Sequence, residues 1–160
     1  DAINSFKWGD LQNELNADTY EYYKGLIAFR KAHPALRMTT NADVTANITA
    51  IDGLAGKTAA FQIAGGANGD SAGGIIVIFN PAKEAVEVAL PEGNWNVYVD
   101  AEDAGTTALR SVEGNVSVDP ISAMVLIRED NVIAEPEETT EATEPTEPIL
   151  PPEEEGKAEE

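Results

Sequence analysis

The sequence predicts a mainly β chain: an antiparallel β-sandwich of about seven strands, preceded by an amphipathic helix and followed by an acidic tail with no fixed structure. Three observations carry that prediction. Apolar residues recur at helical spacing from Tyr20 to Phe29, and the run closes on His33-Pro34. From Asn47 the period changes to two, with turn residues roughly every ten positions, the pattern of sandwich strands. Beyond Ile133 aromatic residues vanish, and Glu, Thr and Pro repeat to the end.

Residues 1–16 read as an irregular segment with a short apolar patch of Ile3, Phe6, Trp8 and Leu11. The helix is expected to begin near Asp18. Its carboxylate can accept from the backbone N–H of Glu21 while Glu21 reaches back, as in a capping box. Two rows, Tyr20–Tyr23–Ile27 and Tyr22–Leu26–Phe29, then make a broad apolar face. Pro34 disfavours helical geometry at His33, so the helix stops there. Gly25 inside it costs about 1 kcal/mol relative to Ala, which predicts close approach by a neighbouring element. A helix this apolar lacks partner surface within residues 1–38 and must pack on something else.

Strands are predicted at Ile48–Ile51, Thr58–Ala64, Gly74–Asn80, Ala85–Leu90, Asn94–Val99, Val116–Val118 and Ala123–Arg128. The unbroken run Ile75-Ile76-Val77-Ile78-Phe79 is that of a central strand covered on both faces. Val86, Val88 and Leu90 alternate with Glu87 and Ala89, as in a half-exposed strand. Asn80-Pro81, Pro91-Glu92-Gly93-Asn94 and Glu113-Gly114-Asn115 supply turns. The glycine-rich stretch 65–74 is expected to be a flexible hairpin loop.

The net charge of −19 is uneven. Residues 134–160 hold eleven Glu and one Lys, a net of −10, which leaves −9 for residues 1–133. Such a tail buries too little apolar surface to offset its chain entropy and is extended by like-charge repulsion, so a linker is expected at 132–160. The acidic body argues against nucleic acid or an anionic membrane as partner and leaves neutral ligands such as sugars open. No apolar run approaches the roughly 20 residues of a membrane span. Cysteine is absent, so no disulfide or thiolate metal site exists.

Three motifs resemble one family. They are Asp1-Ala2-Ile3-Asn4-Ser5-Phe6-Lys7-Trp8, the helical segment from Asp18 to Met38, and the set Ile76–Asn80, Leu90–Val97 and Pro120–Leu126. The first is similar to an Asp-x-(Val/Ile)-Asn-x-Ile-x-Trp segment, and Pro120-Ile121-Ser122-Ala123-Met124 to a closing Pro-x-Ser-Ala-Met signature. Together they resemble the C-terminal end of type I pullulanases, starch-debranching members of the α-amylase superfamily. The resemblance implies that 1–38 end a (β/α)8 catalytic barrel with its last helix, that 39–131 form the C-terminal sandwich, and that 132–160 are a spacer. It implies a parent enzyme that hydrolyses α-1,6-glucosidic branch points in pullulan, starch or glycogen with retention. That chemistry needs a carboxylate nucleophile and a protonated carboxylic acid about 5 Å apart. In the family these groups sit on barrel strands that precede this segment, so no catalytic residue is expected here. No cofactor is expected in this chain either, although the parent could hold Ca2+. The implied partners are an α-glucan, reached through the barrel, and the barrel itself, in a secreted or cell-surface bacterial protein. One departure is Lys7, where relatives usually have Asp.

Asn4 and Trp8 are the best candidates for substrate contact, with Asp1 a lesser one. Loops at the C-terminal ends of barrel strands carry active sites; an Asn amide can pair with sugar hydroxyls, and indole can stack on a pyranose. His33, the single histidine, is expected to satisfy the helix end rather than catalyse. Tyr20, Tyr22 and Tyr23 fit burial against the barrel better than a sugar platform. Trp95 and Tyr98 lie on opposite faces of one strand, and one is expected to face solvent. This leaves an alternative, a stand-alone carbohydrate-binding or adhesive sandwich on a bacterial surface protein. Asp100, Glu102 and Asp103 resemble a metal cluster but lack the spacing of a calcium loop, so a solvated turn is expected.

Overall fold

The computed structural model describes residues 7–128. A 3₁₀ turn at Trp8–Gln12 leads into helix α1 (Glu14–Ala32), a second 3₁₀ turn at Pro34–Arg37 and helix α2 (Asn41–Asn47). Eight strands follow: β1 (Ile48–Ile51), β2 (Ala59–Ala64), β3 (Gly74–Asn80), β4 (Val86–Ala89), β5 (Trp95–Val99), β6 (Arg110–Val112), β7 (Asn115–Val118) and β8 (Ser122–Arg128). Six form one sheet in the order β1-β2-β3-β8-β5-β6, and β4 pairs with β7 in a small second sheet. Every strand pairing is antiparallel.

The large sheet is covered on both faces. On one side Ile76, Ile78, Trp95, Val97, Met124 and Leu126 meet Val88, Val116 and Val118 of the small sheet in a buried core. On the other, Ile63, Ile75, Val99 and Ile127 pack under Phe29 of α1 and Ala35. The unbroken apolar run of β3 follows from this. Ile75 serves one core and Ile76 and Ile78 the other, while Phe79 at the end of the run is half-exposed and Asn80 is buried with its amide paired.

A β-bulge decides how the helix sits. Val97 pairs with Leu126, and Val99, not Tyr98, pairs with the next residue, Val125. The extra residue turns both Tyr98 and Val99 to the helix side. Tyr98 then meets Phe29 with ring centroids 5.9 Å apart. Past the bulge, the chain rises at Ala104 to touch α1 at Gly25. A Cβ built on Gly25 would lie 1.8 Å from the Ala104 carbonyl oxygen, so this glycine is the expected point of close approach. Gly25→Ala should therefore destabilise the chain by about 1–3 kcal/mol net, the overpacking cost exceeding the helix-propensity gain. Urea unfolding reads it; a stabilised variant would contradict the contact.

Several elements differ from the sequence-based expectation. α1 starts at Glu14 instead of near Asp18. The Trp8–Gln12 turn feeds straight into it, with the Asn13 N–H on the Asp10 carbonyl at 3.1 Å, so Asp18 is interior and its capping box does not form. Glu21 pairs with Lys24 at 2.8 Å instead. α2 was not predicted, although its cap was readable: the Thr40 hydroxyl accepts from the Asp43 N–H at 3.0 Å and donates to its carboxylate at 2.6 Å. β6 carries no such signal, because Arg110-Ser111-Val112 holds a single apolar residue and shows no alternation.

The 65–74 stretch is a built loop and not the flexible one expected. Around a 3₁₀ turn at Ala67–Gly69, Gly66 N–H donates to Ala72 O at 3.1 Å and Asp70 N–H to Ala67 O at 3.0 Å. Ala67, Asp70 and Ala72 are buried. The Asp119–Asn80 corner opposite is tied similarly: the buried Asn80 amide donates to the carbonyls of Glu84, Val118 and Asp119.

Candidate functional site

The two rows of α1 have different fates. Tyr22, Leu26 and Phe29 join the core beneath the helix. Tyr20, Tyr23 and Ile27 are exposed, Tyr23 at 62%. The expected burial of all three tyrosines against a barrel therefore needs correcting for Tyr22, which the sandwich itself covers. Its hydroxyl donates to the Asp100 carbonyl at 2.8 Å.

Beside the exposed row lies a cleft of about 560 Å³, lined by Lys7, Asp10, Leu11, Asn16, Tyr20 and Tyr23 among others. The 3₁₀ turn folds against α1 to make it, held by the Asn16 amide donating to the Asp10 carbonyl at 3.0 Å. Trp8 stands on that turn, 71% exposed. Of the three nominated substrate contacts only Trp8 is described; Asp1 and Asn4 lie outside the described residues. Asp10 and Asn16 escaped sequence reasoning, because polar residues on a turn and a helix surface carry no signal until the fold-back brings them together. The cleft shares Tyr20 and Tyr23 with the exposed row of α1.

The helix end is a structural joint. The buried Asp70 carboxylate accepts from Ala35 N–H at 3.0 Å and Ala72 N–H at 2.9 Å, and lies 3.1 Å from His33 Nδ1. The neighbouring Asn68 amide donates to the Pro34 carbonyl at 2.7 Å. His33 thus serves structure, as expected, but by binding Asp70 rather than the helix carbonyls.

Asp100 closes a turn by accepting from the Glu102 and Asp103 N–H groups at 3.1 and 3.0 Å, and it pairs with Arg110. Burial works to raise its pKa, but Arg110 and the two backbone donors together outweigh burial and hold the carboxyl below its ordinary value. Among the described residues no group of three or more His, Asp or Glu is placed to hold a metal ion, and the Asp100 carboxylate is already taken by Arg110 and two backbone donors.

Tyr22 shifts the other way. Burial, then the Asp100 carboxylate and Tyr23, push its phenol above the ordinary value near 10. With a raised folded pKa, the stabilisation is complete below the unfolded value and is lost as pH rises through the folded one. The stability difference between the wild-type chain and Tyr22→Phe should hence be constant up to about pH 9 and shrink above about pH 10, read by melting across that range. A flat difference would contradict a neutral phenol donor.

Trp95 is fully buried between the sheets, and its Nε1 donates to the Pro91 carbonyl at 2.9 Å. Tyr98 is partly buried beneath α1. Neither is the solvent-facing aromatic expected of the strand, so the stand-alone sugar-binding alternative loses the residues it relied on.

Residues 44–103 match the family model of the pullulanase all-beta domain. That match takes in β1 to β5. Over 109 aligned residues the chain is 36% identical to an isoamylase from a Flavobacterium species, covering 56% of this chain and 14% of that protein. Among solved structures, a pullulanase from Bacillus acidopullulyticus superimposes with a TM-score of 0.73 at 34% identity, over 80% of this chain and 15% of its own. The type I pullulanase of Bacillus subtilis str. 168, solved with maltose, gives 0.67 at 25% identity, over 79% and 17%. The chain thus spans about one-seventh of the relatives it matches. The pullulanase likeness includes α1 as well as the sheets, since the match extends to four-fifths of the chain. Among the described residues no helix is long and apolar enough to cross a membrane.

Proposed function

We propose that this chain is the C-terminal portion of a debranching glycoside hydrolase that cleaves α-1,6-glucosidic linkages in pullulan, starch or glycogen with retention. In this reading residues 1–38 are the last loop and helix of a (β/α)8 barrel, 39–131 its sandwich, and 132–160 a spacer in an exported or surface-held bacterial protein. One observation carries it: α1 is sealed to the sandwich by one row while the other, Tyr20–Tyr23–Ile27, is left apolar and exposed. A helix apolar on two sides is a helix between two bodies. In this reading the second body is the barrel. Cleavage itself falls to two carboxylates of the preceding domain, about 5 Å apart for retention, and this chain fixes the helix that closes the barrel. Trp8, Asn4 and Asp1 are its substrate contacts at the rim.

The test places a charge on the exposed row. Ile27→Asp should leave the 160-residue chain folded but sharply lower the thermal stability and the release of reducing ends from pullulan in the full-length enzyme. An unaffected full-length enzyme would remove the barrel contact. Pullulan hydrolysis by the 160-residue chain alone would place the chemistry here instead.

A further inference from the structure

At the end of the large sheet, below the point where α1 first touches it, Phe79 and Ile121 stand in the open, 48% and 72% exposed. With Tyr22, Pro81, Pro120 and Ala123 they line a cleft of about 570 Å³. Ile121 has a φ of 51°, the left-handed region in which a β-branched residue is strained. It is held there: its N–H donates to the Ala82 carbonyl at 2.9 Å, and the adjoining Ser122 hydroxyl closes on the Asp119 carbonyl at 2.7 Å. The strain yields no burial within the described residues. A strained isoleucine turned outward beside an exposed phenylalanine marks a contact surface.

Three observations select its occupant. No residue lining the cleft is charged, which disfavours the tail with its eleven Glu. The polar groups at its floor are already engaged, Asn80 with three carbonyls and the Ala82 N–H, Ser122 with Asp119, so little remains to hold sugar hydroxyls. Tyr22, finally, belongs both to this cleft and to α1, whose exposed row is offered to the preceding domain. We propose that the Phe79–Ile121 cleft seats an apolar side chain of that preceding domain, a second clamp that sets the angle between barrel and sandwich. This rests on the reading given above, that a barrel precedes α1.

The variant Ile121→Gly separates the two contexts. In the 160-residue chain it relieves the left-handed strain and should raise the melting temperature by a few degrees. In the full-length enzyme it removes the clamp, and the melting temperature should fall, with faster proteolytic release of the sandwich. Phe79→Thr, which keeps strand propensity, should be close to neutral in the chain and destabilising in the full-length enzyme. The same sign in both contexts for Ile121→Gly would overturn the proposal, as would destabilisation of the chain itself, which would show the cleft filled from within. Neither outcome touches the Ile27→Asp result, so failure of the clamp and failure of the barrel reading are distinct.

Discussion

Trp95→Ala should cost the chain about 3–5 kcal/mol, the range for a buried tryptophan whose cavity cannot collapse. The indole is fully buried among Ile76, Val88, Val97 and Leu126, and it joins three things at once. Its Nε1 bonds the turn before β5 at Pro91, its ring edge approaches within 3.5 Å of where a Gly74 side chain would begin, and the Arg128 guanidinium lies 5.5 Å from its centroid. Trp95→Phe, which keeps most of the volume and loses the donor, should fall between wild type and alanine. Urea unfolding of the 160-residue chain measures both. A loss below about 1 kcal/mol for alanine would mean that the sheets do not close around this ring.

Asp70→Ala should cost about 3 kcal/mol, because it strips a buried acceptor from the Ala35 and Ala72 N–H groups and from His33 together. The loss should be local first. Hydrogen exchange at Phe29–Leu36 should quicken strongly, while β3 and β8, at the centre of the sheet, remain protected. Asp70→Asn, which keeps one acceptor oxygen, should lie between the two. Unchanged protection at the helix end would show that α1 is held by Phe29 packing alone and that the carboxylate is incidental.

Much of the fold was legible from local signals. β1 and β3 fall at their expected bounds because a cluster of β-branched residues and an unbroken apolar run are properties of short windows. α1 ends where expected because Pro34 acts on the residue beside it. Its start was misplaced because Asp18 and Glu21 offered a plausible cap, and the 3₁₀ turn that displaces it comes from residues with no marked preference. The site was less legible. Trp8 could be nominated from its chemistry, but the neighbouring cleft is made by a fold-back that brings Asp10 onto Asn16, and neither residue is unusual where it stands.

By itself the sequence determined the β character of the body and the end of the apolar helix, since each depends on neighbours a few residues apart. Which side of the helix is buried was settled only in three dimensions. Rows Tyr20–Tyr23–Ile27 and Tyr22–Leu26–Phe29 are equally apolar. The choice falls to the bulge at Tyr98, the carbonyl of Ala104 against Gly25 and the carboxylate of Asp70. Those contacts link positions from 26 to 79 residues apart in the chain, a separation over which no local pattern carries information.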